Sequence, residues 1–167
     1  MLSSAIEPWL VLRTRSRHEI TVESDLQQRS ITAYLPKRSV MRCGRNRKVV
    51  TQLPLFPGYV FVQPRVEQYE KIRYVRGSCG FVLSGNQPAT MPARDLDAVR
   101  ILAGSGATLA VNPRLIPGQR VEVLSGPFMG IQGELVRVKS QERLVINAQL
   151  LNSSVSVEVD SDKIAIL

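Results

Sequence analysis

The chain has 167 residues, 44% of them hydrophobic and 22% charged, with 22 Lys+Arg against 14 Asp+Glu and a formal net charge of +8. That composition excludes wholesale disorder, and no apolar run approaches the roughly 18 residues of a membrane helix. Met1 to Trp9 carries Glu7 and no basic cluster, so a secretory signal is not expected and a cytoplasmic protein is. Cys43 and Cys79 with one histidine cannot make a four-ligand zinc site, and free thiols are expected.

The charge is unevenly placed. Residues 1–104 hold 16 Lys+Arg and 8 Asp+Glu; residues 105–167 hold six of each. All the net positive charge lies in the first part, which suggests two modules, the first drawn to a polyanion such as nucleic acid. Two stretches concentrate it: Arg13, Arg15 and Arg17, and Lys37, Arg38, Arg42, Arg45, Arg47 and Lys48.

In chain order, Trp9 to Leu12 reads as a buried strand and residues 17–30, with Val22 and Leu26 at i,i+4, as a helix. Ile31 to Met41 reads as extended, and Cys43-Gly44-Arg45-Asn46 as a hairpin tip returning through Val49 and Val50. Pro57-Gly58 introduces Tyr59 to Val62 as a central strand. Tyr69, Ile72 and Val75 recur every third residue, as on one face of a short helix. Phe81 to Leu83 is a further strand. Pro92 opens a helix with Leu96, Val99 and Leu102 on one face. Strands alternating with helices predict an α/β sandwich over residues 1–104.

Gly104, Ser105, Gly106, Asn112, Pro113 and Pro117 mark residues 105–117 as a linker. Residues 118–167 read as five short strands: Arg120 to Leu124, Glu134 to Lys139, Arg143 to Ala148, the alternating Val155, Val157 and Val159, and Ile164 to Leu167. That many strands in so short a segment predict a small barrel and an α+β fold class overall.

Catalysis has little to work with. His18 sits among arginines, and no phosphate loop, dinucleotide fingerprint, zinc-protease motif or nucleophile elbow occurs. No enzyme and no cofactor or metal are expected. Two segments carry more information. In Pro54-Leu55-Phe56-Pro57-Gly58-Tyr59-Val60-Phe61-Val62, Tyr59 and Phe61 share one sheet face, and an exposed aromatic face would suit a partner helix; by composition alone, ordinary core is the better reading. In Ser125-Gly126-Pro127-Phe128-Met129-Gly130-Ile131-Gln132-Gly133, a turn joins two strands, and Gly130 and Gly133 permit left-handed or close-packed backbone.

The second segment resembles a KOW motif. Together with Leu55 to Tyr59 it makes the chain, from Trp9 to Ile164, resemble the NusG family of bacterial transcription elongation factors. The resemblance implies a family N-terminal domain, an α/β sandwich, tethered to an SH3-like KOW barrel. It implies a monomer that binds the clamp helices of RNA polymerase through Phe56, Pro57, Tyr59 and Phe61, with Leu96, Val99 and Leu102 as the other wall, each residue serving core and interface at once. Gln68, Tyr69, Glu70 and Lys71 match the stretch facing the opposite jaw of the cleft, without the hydroxyl run of specialised members. Arg15, Arg17, His18 and Arg76 match the region that touches the non-template DNA strand, and Arg42, Arg45, Arg47 and Lys48 would reach upstream DNA. The barrel, turned at Gly126, Pro127, Phe128, Gly130 and Gly133, would recruit a ribosomal small-subunit protein or the termination factor Rho, with Leu150 and Leu151 as contact or core.

Housekeeping members carry Phe-Gly-Arg-x-Thr-Pro-Val-Glu late in the barrel, where this chain has Leu151-Asn152-Ser153-Ser154-Val155-Ser156-Val157-Glu158. Pro54-Leu55-Phe56-Pro57 is also closer to the specialised antiterminators. The resemblance therefore implies an operon-specific antitermination factor, with a housekeeping factor as the alternative. An RNA-binding, ribosome-associated KOW protein is the reading from another class, and the neutral barrel counts against it.

Overall fold

The structure is a computed structural model that describes residues 7–167. The reading of the first residues as lacking a secretory signal falls mainly on 1–6, outside the described residues. In chain order the elements are β1 (Trp9–Thr14), α1 (Glu19–Gln28), β2 (Thr32–Tyr34), β3 (Lys37–Cys43), β4 (Lys48–Pro54), β5 (Tyr59–Gln63), a 3-10 turn (Val66–Gln68), α2 (Tyr69–Ile72), β6 (Ser78–Phe81), β7 (Leu83–Ser84), β8 (Gln87–Pro88), β9 (Thr90–Met91) and α3 (Ala93–Gly104). There follow β10 (Ala110–Asn112), β11 (Gln119–Val123), β12 (Gln132–Val138), β13 (Gln141–Ala148), a 3-10 turn (Gln149–Leu151), β14 (Ser153–Glu158), a 3-10 turn (Ser161–Lys163) and β15 (Ile164–Ile166).

The chain forms two compact units. One combines the described residues up to Leu35 with Pro57–Ala93; the other combines Pro36–Phe56 with Arg94–Leu167. This differs from the expected cut after residue 104. The hairpin of β3 and β4 and the helix α3 group with the C-terminal strands. At the start of α3, Arg94 Nη1 donates to Gln132 Oε1 at 3.0 Å.

In the first unit an antiparallel sheet runs β2-β5-β1-β6, with β9 also on β1. Leu10 pairs with Val62 and Leu12 with Val60, so these four project to one face. There they meet Val22 and Leu26 of α1, Ile31, Leu35, Ile72 and Val75 in one buried cluster. The thin apolar face of α1 is therefore sufficient: two buried apolar residues one turn apart, Val22 and Leu26, anchor it. The helix ends where Ser30 turns left-handed at φ 60°, and the Ile31 N–H closes back on the Leu26 carbonyl. Glu23 accepts the Leu35 N–H at 2.8 Å, tying the helix to the chain beyond β2. The other face of β5 and β1 carries Phe61 and Val11, also fully buried.

In the second unit six strands form an antiparallel sheet in the order β10-β14-β13-β12-β11-β15. Leu144, Ile146, Ala148, Val121, Val123, Val155 and Val157 fill its core. Five strands were expected; the sixth, β10, comes from the segment read as linker. Its register on β14 is Ala110 to Ser156, Val111 to Val155 and Asn112 to Ser154. Further on, the Ile116 N–H donates to Asn147 Oδ1 and Asn147 Nδ2 donates to the Ile116 carbonyl, both at 2.8 Å. The segment with the Pro and Gly signals thus carries a short strand and a side-chain amide contact as well as irregular backbone. The alternation at Val155 to Val159 predicted a half-buried strand. In the structure Ser154 and Ser156 are buried too, because β10 and the Arg143 guanidinium, 3.1 Å from Ser156 Oγ, cover that side.

Candidate functional site

The segment after β4 turns sharply. The Leu55 N–H reaches the Pro36 carbonyl and the Thr14 N–H the Gly58 carbonyl, both at 2.8 Å, and Gly58 takes φ 88°. That positive φ requires a glycine-like residue between Pro57 and the strand. The outcome for the expected aromatic face is a division. Phe56 and Phe61 are buried, Tyr59 is half-buried beside Arg13 on β1, and Pro57 is exposed. On α3, Leu96, Val99 and Leu102 are buried and Ile101 is exposed. The reading of all seven as at once core and contact residues needs correcting on this point: five are core. A single strand repeat could not separate them, because a sheet covered on both faces shows no polar alternation.

The expected jaw residues also divide. Gln68 is buried: it accepts the Arg65 N–H at 2.9 Å and donates to the Ser30 carbonyl at 3.1 Å. Tyr69 packs against the core, its ring 5.7 Å from that of Phe81. Glu70 and Lys71 are exposed, and so are two apolar side chains nearby in sequence that were not anticipated, Val66 and Tyr74. Close by, Glu67 is held below the usual carboxylate range by a backbone N–H and by Arg65 Nε at 2.7 Å.

The basic residues are where solvent and a polyanion can reach them. Arg15, Arg17 and His18 form the turn from β1 into α1, with Arg17 left-handed at φ 65°. The Arg15 N–H donates to the Gly77 carbonyl at 2.8 Å, and His18 Nδ1 lies 2.9 Å from the Ser16 carbonyl. Gly77, at φ 92°, lies so close that a Cβ there would sit 2.9 Å from the Cβ of His18. This contact puts Arg76 beside Arg15, Arg17 and His18, a grouping that sequence distance alone does not give. Glu19, the acidic residue of the first helical turn, is buried, so no exposed carboxylate stands in that turn.

The hairpin carries the other cluster. The Gly44 N–H closes on the Arg47 carbonyl, making 44–47 the tip and pairing Cys43 with Lys48. Residues 41–50 are all exposed, Arg42, Arg45, Arg47 and Lys48 among them, and no acidic residue falls between Lys37 and Pro54. Met41 and Val50 are register partners on one face, 62% and 60% exposed. Cys43 and Cys79 are free and exposed.

In the C-terminal strands, Gly126 and Gly130 both take φ 90° and the Gly130 N–H donates to the Val123 carbonyl, closing the turn over buried Phe128. Gly133 is different: a Cβ there would lie 2.7 Å from the Val145 carbonyl oxygen. The two glycines thus fill the two roles the sequence left open. Of the expected contact pair, Leu151 is core and Leu150 is partly exposed on the turn before Asn152, which is left-handed at φ 48°. Where α3 meets the strands, burial pushes the Asp95 carboxyl up, against the opposing pull of Arg120 and Arg94.

Among the described residues no group of three or more His, Cys, Asp or Glu side chains could hold a metal ion, and no helix is long and apolar enough to cross a membrane. The arrangement is that of an α+β binding protein: a basic turn on one sheet, a basic hairpin, and an antiparallel six-stranded sheet with a glycine turn. Residues 7–100, more than half the chain, match the family model described as transcription termination factor nusG, and the chain belongs to that family. It is 29% identical over 181 residues to the transcription termination/antitermination protein NusG of Streptococcus pyogenes, covering 99% of each. It is 25% identical to the Pseudomonas aeruginosa protein of the same name, covering 93% of this chain and 96% of the relative. The fold is similar to that in a structure titled "Domain interaction in Thermotoga maritima NusG", with a TM-score of 0.52 and 24% identity over 96% and 97% of the two chains. The chain is accordingly a transcription termination/antitermination factor and not an enzyme.

Proposed function

We propose that the protein binds RNA polymerase and suppresses pausing and termination on a particular operon. The observation that carries this is the Pro57-Gly58-Tyr59 corner, exposed and half-buried residues raised on a rigid turn above a closed core. Phe56 and Phe61 on either side of that corner in sequence are buried; Pro57 and Tyr59 would meet the clamp helices. Glu70 and Lys71, with Val66 and Tyr74, would face the opposite jaw. Arg15, Arg17, His18 and Arg76 would hold phosphates or stack on bases of the non-template strand, and the hairpin cations would reach upstream DNA. Leu150 would meet the barrel's protein partner, a ribosomal small-subunit protein or Rho. Functionally the division would follow 1–104 and 118–167, with the segment 105–117 between them and monomeric protein in the cytoplasm.

A pull-down with RNA polymerase tests the reading. Wild-type protein is expected to retain polymerase, and Tyr59→Ala, shown by circular dichroism to be folded, to lose it. Absence of binding by wild type would remove the proposal. For DNA, Arg15→Ala and Arg17→Ala are each expected to lower the salt dependence of single-strand binding by about one counterion, roughly 0.7 in the logarithmic slope. An unchanged slope would reassign the two arginines to solvent. The full-length likeness to general termination/antitermination proteins supports a second reading, a housekeeping factor. Run-off transcription separates the two: an effect on any template favours the second, and an effect only on templates with a particular leader favours the first.

A further inference from the structure

The outer face of β12 and β13 departs from the rule for a strand with one side in water. Register pairs Glu134 with Val145 and Val136 with Arg143, and continues from Val145 to Ser156 on β14, so these side chains share one face. At one end of that face Glu134 and Asn147 are polar and engaged: Glu134 accepts the Gly118 N–H, and Asn147 holds Ile116. Beyond them stand Val136 and Val138, where a solvent face calls for polar residues, and buried Val145 lies at the base beside Glu134. The segment around Ile116 forms one wall beside them, and the space between is a groove of about 620 Å³. Val138, at its open end, is 48% exposed.

The charged residues that line this groove are basic. Arg114, Arg137 and Arg143 border it and no carboxylate lines it among the described residues; of the three, Arg137 alternates to the opposite strand face, opposite Glu142. The acids Glu142, Glu158, Asp160 and Asp162 lie instead around a second depression, which Arg137 also borders. The neutral balance of the barrel is thus unevenly spread: acids crowd the second depression, together with Arg137 and Lys163. Arg143 is the best fixed of the three: Nε donates to Ser156 Oγ at 3.1 Å and Nη2 to the Ser156 carbonyl at 3.2 Å. Its Nη1 is 3.8 Å from Glu158, a long contact to a side chain 60% exposed. A guanidinium fixed by two hydrogen bonds over an apolar floor is preorganised for a second carboxylate.

We propose that this groove binds an acidic peptide segment of a partner protein, an aliphatic side chain seated on Val136, Val138 and Val145 and carboxylates on Arg114 and Arg143. Nucleic acid fits less well. The floor offers no phosphate donors and no aromatic ring lines it on which a base could stack. The site is separate from Leu150, and it does not depend on the polymerase reading.

The test is display of random twelve-residue peptides on the immobilised full chain. Enriched peptides are expected to combine Asp or Glu with an aliphatic or aromatic anchor. They are expected to bind Val138→Glu and Arg114→Glu about tenfold more weakly, as for loss of an anchoring contact. Both positions are exposed, so neither change threatens the fold. Met129→Glu, the same kind of change at an exposed site outside the groove, is expected to bind as wild type. Amide NMR shifts should centre on 110–117, 136–138 and 143–145. No enrichment, a basic consensus, or shifts centred on Leu150 would overturn the proposal. So would preferential binding of single-stranded RNA that Val138→Glu abolishes, or self-association of the chain abolished by the same change.

Discussion

Two sheets in this molecule bury residues on both faces, and they do so to different degrees. In β1 and β5 the closure is complete: Leu10, Leu12, Val60 and Val62 are buried on one side, and Val11 and Phe61 on the other. In β12 to β14 the inner face is closed by Leu144, Ile146 and their neighbours. The outer face is covered only where β10 and the Ile116 wall reach it, and Val138 is left half in water. The first sheet teaches that an aromatic-rich motif can be mostly scaffold, offering only its corner. The second teaches that apolar residues at outward positions, next to a partial cover, are more informative about binding than a motif is.

The largest expected effect tests the completeness of the first closure. Phe61→Ala removes a fully buried ring and is expected to cost about 3–5 kcal/mol, read as a shift in denaturant midpoint at constant slope. Val138→Ser on the second sheet is expected to stay within about 0.5 kcal/mol, because its site is already open. Equal costs would mean that the outer groove is ordinary core and the comparison fails.

Next comes the backbone beneath that groove. Gly133→Ala would push a methyl to 2.7 Å from the Val145 carbonyl oxygen, which belongs to the β13 ladder and cannot move alone. A cost of about 1–3 kcal/mol is expected. Gly130→Ala meets nothing within 4 Å and pays only for φ 90°, on the order of 1–2 kcal/mol. Thermal unfolding of both variants checks the order. Smaller again is Asn147→Ala, which removes both hydrogen bonds to Ile116 at about 1–2 kcal/mol. Faster amide exchange is expected in 110–117, with the inner strands unchanged. Protection retained there would show that β10 alone holds the groove wall.

Much of this was legible in advance because the signals were local. Val22 and Leu26 placed α1, Pro92 placed the start of α3, and the glycine turn placed β11 and β12. What escaped was set by contacts between distant residues. Asn147 recruits Ile116 from a segment whose Pro and Gly read as linker, and β10 forms only because β14 offers it an edge. The split between Pro57 and Tyr59 outside and Phe56 and Phe61 inside depends on what covers a second sheet face, which no strand repeat encodes. The resemblance already groups Arg76 with Arg15, Arg17 and His18, but the Gly77 backbone contact behind that grouping has no sequence signature.

The smallest effect expected is electrostatic and lies where α3 meets the strands. Asp95 is half-buried, and burial raises its pKa above the usual 3.8 against the opposing influence of Arg120 and Arg94. An acid whose folded pKa is raised binds its proton more tightly when folded, so its contribution to stability is fully present at pH below 3.8 and is lost as pH rises through the folded value. At neutral pH the ionised Asp95 is therefore a small net liability, tempered by solvent on its exposed side and by its two arginines. Asp95→Asn keeps the shape and removes the charge. It is expected to raise the denaturant midpoint slightly at pH 7, with the gain shrinking as pH falls towards 3.8. A loss of stability at pH 7 would show that attraction to Arg120 and Arg94 outweighs burial, making that contact an ion-paired one like the Arg143 corner and unlike the dry closure around Phe61.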